Sequence, residues 1–227
     1  MTIGILLSGS GVYDGSEIQE SVLAMLAIAE LGASYQCISI DKNQKHVINH
    51  LTGDEMEESR NMKIEAARMA RGEVADISEM SPAILDALVI PGGFGAAKNL
   101  TSWAFHGPDA DILPEVKLLI VNMVNAGKPI CGLCVSPVVI AKATEGSAIQ
   151  PKMTLGSSKV GSPYDINDFH QGIQSTGAST EEKTITEVLV DQEHKIVTAP
   201  CYMLEANILE VRDNIKTAIQ ETIALIN

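Results

Sequence analysis

Aromatic residues are scarce in this chain of 227 residues: three Phe, four Tyr and one Trp. That argues against a base-stacking platform for single-stranded nucleic acid. Positive charge is short as well, with 16 Lys and Arg against 29 Asp and Glu and a net charge of −13. Nucleic acid and anionic membrane both call for a cationic footprint, so neither is expected as a partner. Long apolar runs are missing. The opening stretch Ile3 to Leu7 spans five residues before Ser8-Gly9-Ser10-Gly11, short of a signal peptide and of the roughly 20 residues of a membrane helix. The four cysteines, Cys37, Cys131, Cys134 and Cys201, are too few for a disulfide scaffold, and without an export signal they read as reduced thiols in a cytoplasmic protein. The five histidines show no metal-ligand spacing, so no metal is assigned.

What is present is an alternation of strand and helix. Apolar runs at 3–7, 35–40, 85–90 and 130–134 read as buried strands. Helical patterns at 14–31, 60–71, 114–126, 136–144 and 205–226 separate or follow them. In the first helix Ile18, Val22, Met25 and Ala29 form an apolar stripe widened by Leu23 and Leu26, and Asp14 with Glu17 has capping-box spacing. Val188 to Val190 and Ile196 to Thr198 read as a strand pair. The polar stretch at about 41–81 reads as an insertion on a single domain covering 1–227. The fold class is therefore α/β, a three-layer sandwich around a mostly parallel sheet, with ligands expected at the carboxyl ends of the strands.

Those ends carry the candidate chemistry. In Ile130-Cys131-Gly132-Leu133-Cys134-Val135-Ser136-Pro137, Cys134 falls in the turn between a strand and a helix. That is the position of a nucleophile elbow, where the positive end of the helix favours thiolate. An inert buried thiol has the same signature, and Cys131-x-x-Cys134 also admits a redox dithiol. Pro91-Gly92-Gly93-Phe94-Gly95 lets backbone come close to a ligand, so its amides and that of Val135 could form an oxyanion hole; a plain tight turn reads the same way. Glu17 is either a helix cap or an acid beside Cys134. Gly9-Ser10-Gly11 with Asp41 lacks dinucleotide-fingerprint spacing, since the next glycine is Gly15.

Three longer motifs go further: Gly11-Val12-Tyr13-Asp14-Gly15-Ser16-Glu17-Ile18, Val47-Ile48-Asn49-His50-Leu51-Thr52-Gly53, and Pro91-Gly92-Gly93-Phe94-Gly95-Ala96-Ala97-Lys98-Asn99-Leu100. Together they resemble the isoprenoid-biosynthesis-associated, "enhancing lycopene biosynthesis" glyoxalase-like proteins of the ThiJ/PfpI superfamily, which is related in fold to class I glutamine amidotransferases. The resemblance implies a flavodoxin-like sandwich, a homodimer, an elbow nucleophile at Cys134, a glutamate partner at Glu17, and oxyanion-binding amides at Gly93 and Val135. It implies a cofactor-free, glutathione-independent glyoxalase (lyase) activity that converts small aldehydes such as methylglyoxal and glyoxal to hydroxy acids through a Cys134 hemithioacetal. The alternative is a non-catalytic redox-sensing or regulatory protein whose Cys134 is oxidised. Val135 stands where some relatives have histidine, and Glu193-His194 does not match the amidotransferase His-x-Glu pair. His170 is the remaining candidate for an assisting histidine.

Overall fold

A computed structural model describes residues 1–226. Strands β1 (Thr2–Leu6), β2 (Ser34–Ser39), β3 (Val74–Asp76), β4 (Ala87–Ile90), β5 (Ile130–Leu133), β8 (Leu189–Asp191) and β9 (Ile196–Ala199) form one sheet in the order β3-β2-β1-β4-β5-β9-β8. The pairings are parallel except β8 with β9. A two-stranded ribbon, β6 (Lys152–Met153) and β7 (Ser179–Thr180), lies outside it. This is the expected flavodoxin-like α/β architecture. Every residue of β4, β5 and β9 is buried, as parallel strands covered on both faces must be.

Helices α1 (Ile18–Glu30), α2 (Met62–Met69) and α7 (Ile208–Ala224) pack together on one face, and α4 (Pro114–Asn125) and α5 (Pro137–Thr144) on the other. Pro114 opens α4 at the position where its missing N–H costs nothing. Asn207 and Glu210 make a reciprocal capping box at the start of α7. The short α3 (Trp103–His106) and α6 (Ile166–Ser175) complete the set, and α6 had no clear signal in the sequence. The chain leaves β1 toward β2 on one side and reaches β4 on the other, so the sheet's switch point lies between β1 and β4. Ligand clefts form at the carboxyl ends there.

Two details differ from the sequence reading. The stretch 41–81 divides: α2 and β3 belong to the sheet's own rhythm, with β3 as edge strand. The excursion proper is 41–61, held by short antiparallel bridges between Asn43 and Asn61 and between Ile48 and Glu55. The face that α1 buries also differs. Glu20, Ala24, Ala27 and Ile28 face inward with Met25, while Ile18, Val22 and Leu26 are each nearly half exposed. Small Ala24 and Ala27 allow close approach to the sheet, and the need to point Glu20 inward sets the rotation of the helix.

Candidate active site

The three long motifs meet at the carboxyl ends of β1 and β4. The Asp14 carboxylate accepts from the Ile48 amide (2.7 Å) and the His50 Nε2 accepts from the Tyr13 amide (3.3 Å). Asn99 donates to the carbonyls of Ser8 (2.9 Å) and Asp14 (2.7 Å), and accepts from the Lys45 amide (2.9 Å). The excursion is thus tied to the loop after β1, and that loop to the Gly-rich turn after β4. Asp14 is therefore not the cap of α1. Glu17 takes that place, with its carboxylate accepting from the Glu20 amide at 2.6 Å.

Cys134 follows β5 with φ 57°, a left-handed conformation uncommon for a non-glycine residue. This is the strained turn expected of an elbow. Ser136 fastens it by donating from its hydroxyl to the Ile90 carbonyl at 2.7 Å. The amides of Gly93 and Val135 both face the sulfur, which puts the two expected oxyanion donors beside it. Gly93 has φ 90°, and a Cβ on Gly92 would lie 2.6 Å from Glu20 Oε2 as well as against the Cys134 Cβ. Glycine is required here for backbone to approach the elbow.

The carboxyl against the sulfur is Glu20, one helical turn beyond Glu17. It hydrogen-bonds Cys134 and accepts from the amides of Gly92 (2.9 Å) and Tyr202 (3.3 Å). Burial, reinforced by the Glu17 charge, pushes the Glu20 carboxyl up to about 8. At neutral pH it is a neutral acid able to donate to a thiolate. Glu17 remains at the pocket wall, and burial raises its carboxyl too. The Cys134 thiol is also raised, first by burial and then by Glu20. The helix end alone does not make a free thiolate, and Cys134 and Glu20 titrate as a pair.

A narrow pocket of about 20 Å³ opens over the sulfur, little more than the space one water needs. Phe94, Tyr164, Phe169, Tyr202 and Met203 wall it, and no lysine, arginine or histidine does. Phe94 and Tyr164 meet edge to face at 5.8 Å. Burial pushes the Tyr164 phenol up to about 12, so it stays a donor. Tyr164 and Tyr202 carried no motif in the sequence.

The histidines lie elsewhere. His170 is buried in α6, where its Nε2 faces the Leu155 amide at 3.4 Å, and burial pushes it down toward the neutral ring. Phe169, its neighbour, reaches the pocket instead. His194 pairs with Asp191 at 2.9 Å in the β8–β9 turn, at the end of β9 remote from Cys134. Cys131 points away from the elbow, its thiol bonded to Thr222 of α7. Among the described residues no group of three or more His, Cys, Asp or Glu could hold a metal, and no helix is long and apolar enough to cross a membrane.

A flavodoxin-like sandwich with a left-handed cysteine over the sheet and a buried glutamate from the first helix is the architecture of a class I glutamine amidotransferase-like protein. No family model matches the chain. It is 37% identical over 225 residues to the human mitochondrial glutamine amidotransferase-like class 1 domain-containing protein 3, covering 98% of this chain and 82% of that one. It is 36% identical over 225 residues to the rat mitochondrial ES1 protein homolog, with 98% and 83% covered. The crystal structure of an isoprenoid biosynthesis protein with an amidotransferase-like domain from Ehrlichia chaffeensis matches over 100% of both chains, with TM-score 0.90 and 31% identity. A ThiJ/PfpI domain protein from Brachyspira murdochii shares the fold alone, with TM-score 0.56 and 16% identity over 98% of this chain and 96% of that one. The chain belongs to the glutamine amidotransferase-like class 1 family that includes the ES1 proteins.

Proposed function

We propose that the protein is a cofactor-free glyoxalase-like enzyme that converts small neutral 2-oxoaldehydes to 2-hydroxy acids. The observation that carries this reading is the Cys134 sulfur at the base of a small pocket, with the Glu20 carboxyl and the Gly93 and Val135 amides around it.

The Cys134–Glu20 pair first loses one proton to solvent. In the form with the sulfur as thiolate and the remaining proton on Glu20, the thiolate adds to the aldehyde carbon of methylglyoxal, and the developing oxyanion is met by the two amides. Glu20 gives its proton to that oxygen, leaving a hemithioacetal and a carboxylate. The carboxylate removes the hydrogen on the former aldehyde carbon and returns it to the neighbouring carbon. The product is a thioester of the 2-hydroxy acid; one carbon has been oxidised and its neighbour reduced, so no external oxidant enters. Water hydrolyses the thioester, releasing lactate and the thiol.

Tyr164 is placed to donate to the ketone oxygen, and the aromatic walls limit access of water. With the Glu17 carboxyl and no cation in the wall, the pocket disfavours anionic substrates. Methylglyoxal and glyoxal are expected to be turned over, and 4,5-dioxopentanoate, a 2-oxoaldehyde that carries a carboxylate, at least about tenfold less well. Product formation followed by NMR checks this. Equal turnover of the carboxylate-bearing 2-oxoaldehyde, or no hydroxy acid from methylglyoxal above buffer, would count against the reading.

A further inference from the structure

We propose that Cys201 is a resolving thiol for Cys134: after a hydroperoxide oxidises Cys134, Cys201 closes an intramolecular disulfide with it. The proposal rests on Cys134 being the reacting thiol, as in the function proposed above, and adds a second activity to the same elbow.

The backbone sets the two residues side by side. β5 and β9 are adjacent and parallel, with Leu133 paired to Ala199, so Cys134 and the Pro200–Cys201 turn leave the sheet together. Neighbouring strands lie about 4.8 Å apart, and disulfides span Cα separations of about 4.4–6.8 Å. Both cysteines are left-handed, with φ 57° at Cys134 and 47° at Cys201. β9 therefore ends in a second strained cysteine turn beside the first. The Cys134 amide donates to the Ala199 carbonyl at 2.9 Å and also faces the Cys201 sulfur. The Glu20 carboxyl that holds the Cys134 sulfur also accepts from the Tyr202 amide at 3.3 Å, so one carboxyl grips both turns. On its other side Cys201 is fixed by its amide donating to Asn214 at 3.1 Å.

Access orders the steps. Cys134 is 6% exposed and faces the pocket, whereas Cys201 is 0% exposed and lies behind it. Cys201 therefore does not meet peroxide first. The Cys134 sulfur attacks a hydroperoxide oxygen and the O–O bond breaks. Sulfur gives up two electrons to become sulfenic acid, and the peroxide leaves as an alcohol or water. The Cys201 sulfur then attacks the Cys134 sulfur and the S–O bond breaks; the oxygen departs as water with the Cys201 proton. Cys131 is no rival, since its thiol is engaged with Thr222 of α7.

The test is to treat the full-length protein with equimolar hydrogen peroxide, alkylate it in denaturant, digest without reduction and map thiols by mass spectrometry. The expected result is a dithiothreitol-reversible Cys134–Cys201 linked peptide in the wild type and in Cys131→Ala. In Cys201→Ala, Cys134 is expected to accumulate sulfinic acid at least about tenfold over wild type at the same dose. A wild type in which Cys134 reaches sulfinic acid while Cys201 is recovered as alkylated free thiol overturns the proposal and leaves Cys134 as the reacting thiol. A Cys134 recovered as alkylated free thiol after peroxide overturns both.

Discussion

Cys134→Ala is expected to lower methylglyoxal turnover by at least about 10³-fold, with the far-ultraviolet spectrum unchanged. Among the described residues Cys134 is the one thiol in the pocket wall, and without it no hemithioacetal forms. Alanine keeps the Cβ and removes only the atom that faces the pocket, so packing should survive. Glu20→Gln should cost about 10²–10⁴-fold, the usual contribution of a positioned acid–base group. Glutamine keeps the shape and can still accept from one of the Gly92 and Tyr202 amides, but it carries no transferable proton. Glu17→Gln should stay within about tenfold of wild type, because Glu17 serves the helix start and reaches Glu20 only through its charge. Steady-state rates of the three variants check this ordering. A larger loss at Glu17 than at Glu20 would reverse the assignment.

The second large effect is on stability. The Glu20 carboxyl sits at about 8 in the folded protein, against about 4.5 for an ordinary glutamate. Between these values the folded state holds a proton that the unfolded chain has released. The stability this group contributes is therefore fully present below about 4.5 and is lost as pH rises through the window to about 8. The loss attached to this one group is on the order of a few kcal/mol, or very roughly 10 °C in melting temperature for a chain of this length. Glu20→Gln is neutral throughout, so its stability curve should lack this fall and lie above wild type at pH 8. His170, which burial keeps neutral, acts with the opposite sign in the acid range, so the informative quantity is the difference between variant and wild type. Thermal melts from pH 4.5 to 8.5 supply it, and parallel curves would show that Glu20 is not a buried neutral acid.

The confusion between Glu17 and Glu20 shows where sequence reading stops. The elbow was legible because its parts are local: a four-residue buried strand, Cys134, then Ser136-Pro137 opening a helix. The Gly-rich turn after β4 was legible for the same reason. The partner glutamate was not, because its identity depends on where α1 begins. Asp14 has the spacing of a cap, but its carboxylate is taken by the amide of Ile48, 34 residues away. The helix therefore starts at Ile18, Glu17 caps it, and the inward position falls to Glu20. The same rotation turns Ile18, Val22 and Leu26 outward, although their spacing reads as a core stripe. β3 and α6 went unseen because each is short or polar and is defined by what it packs against. Tyr164 enters the pocket from the segment before α6 without a motif to mark it.

The central claim, that Cys134 reacts and Glu20 governs its proton, is tested most directly by the rate of iodoacetamide labelling at Cys134 against pH. Peptide mass spectrometry separates it from the other three cysteines. Wild type is expected to show a midpoint above that of an ordinary thiol, because burial and then Glu20 raise it. In Glu20→Gln the second cause is removed, so the midpoint should fall and labelling at pH 7 should quicken. In Glu17→Gln the midpoint should stay close to wild type, because the Glu17 charge acts on Glu20 and not on the sulfur. A Cys134 profile unmoved by Glu20→Gln, or labelling no faster than at buried Cys37, would contradict the account.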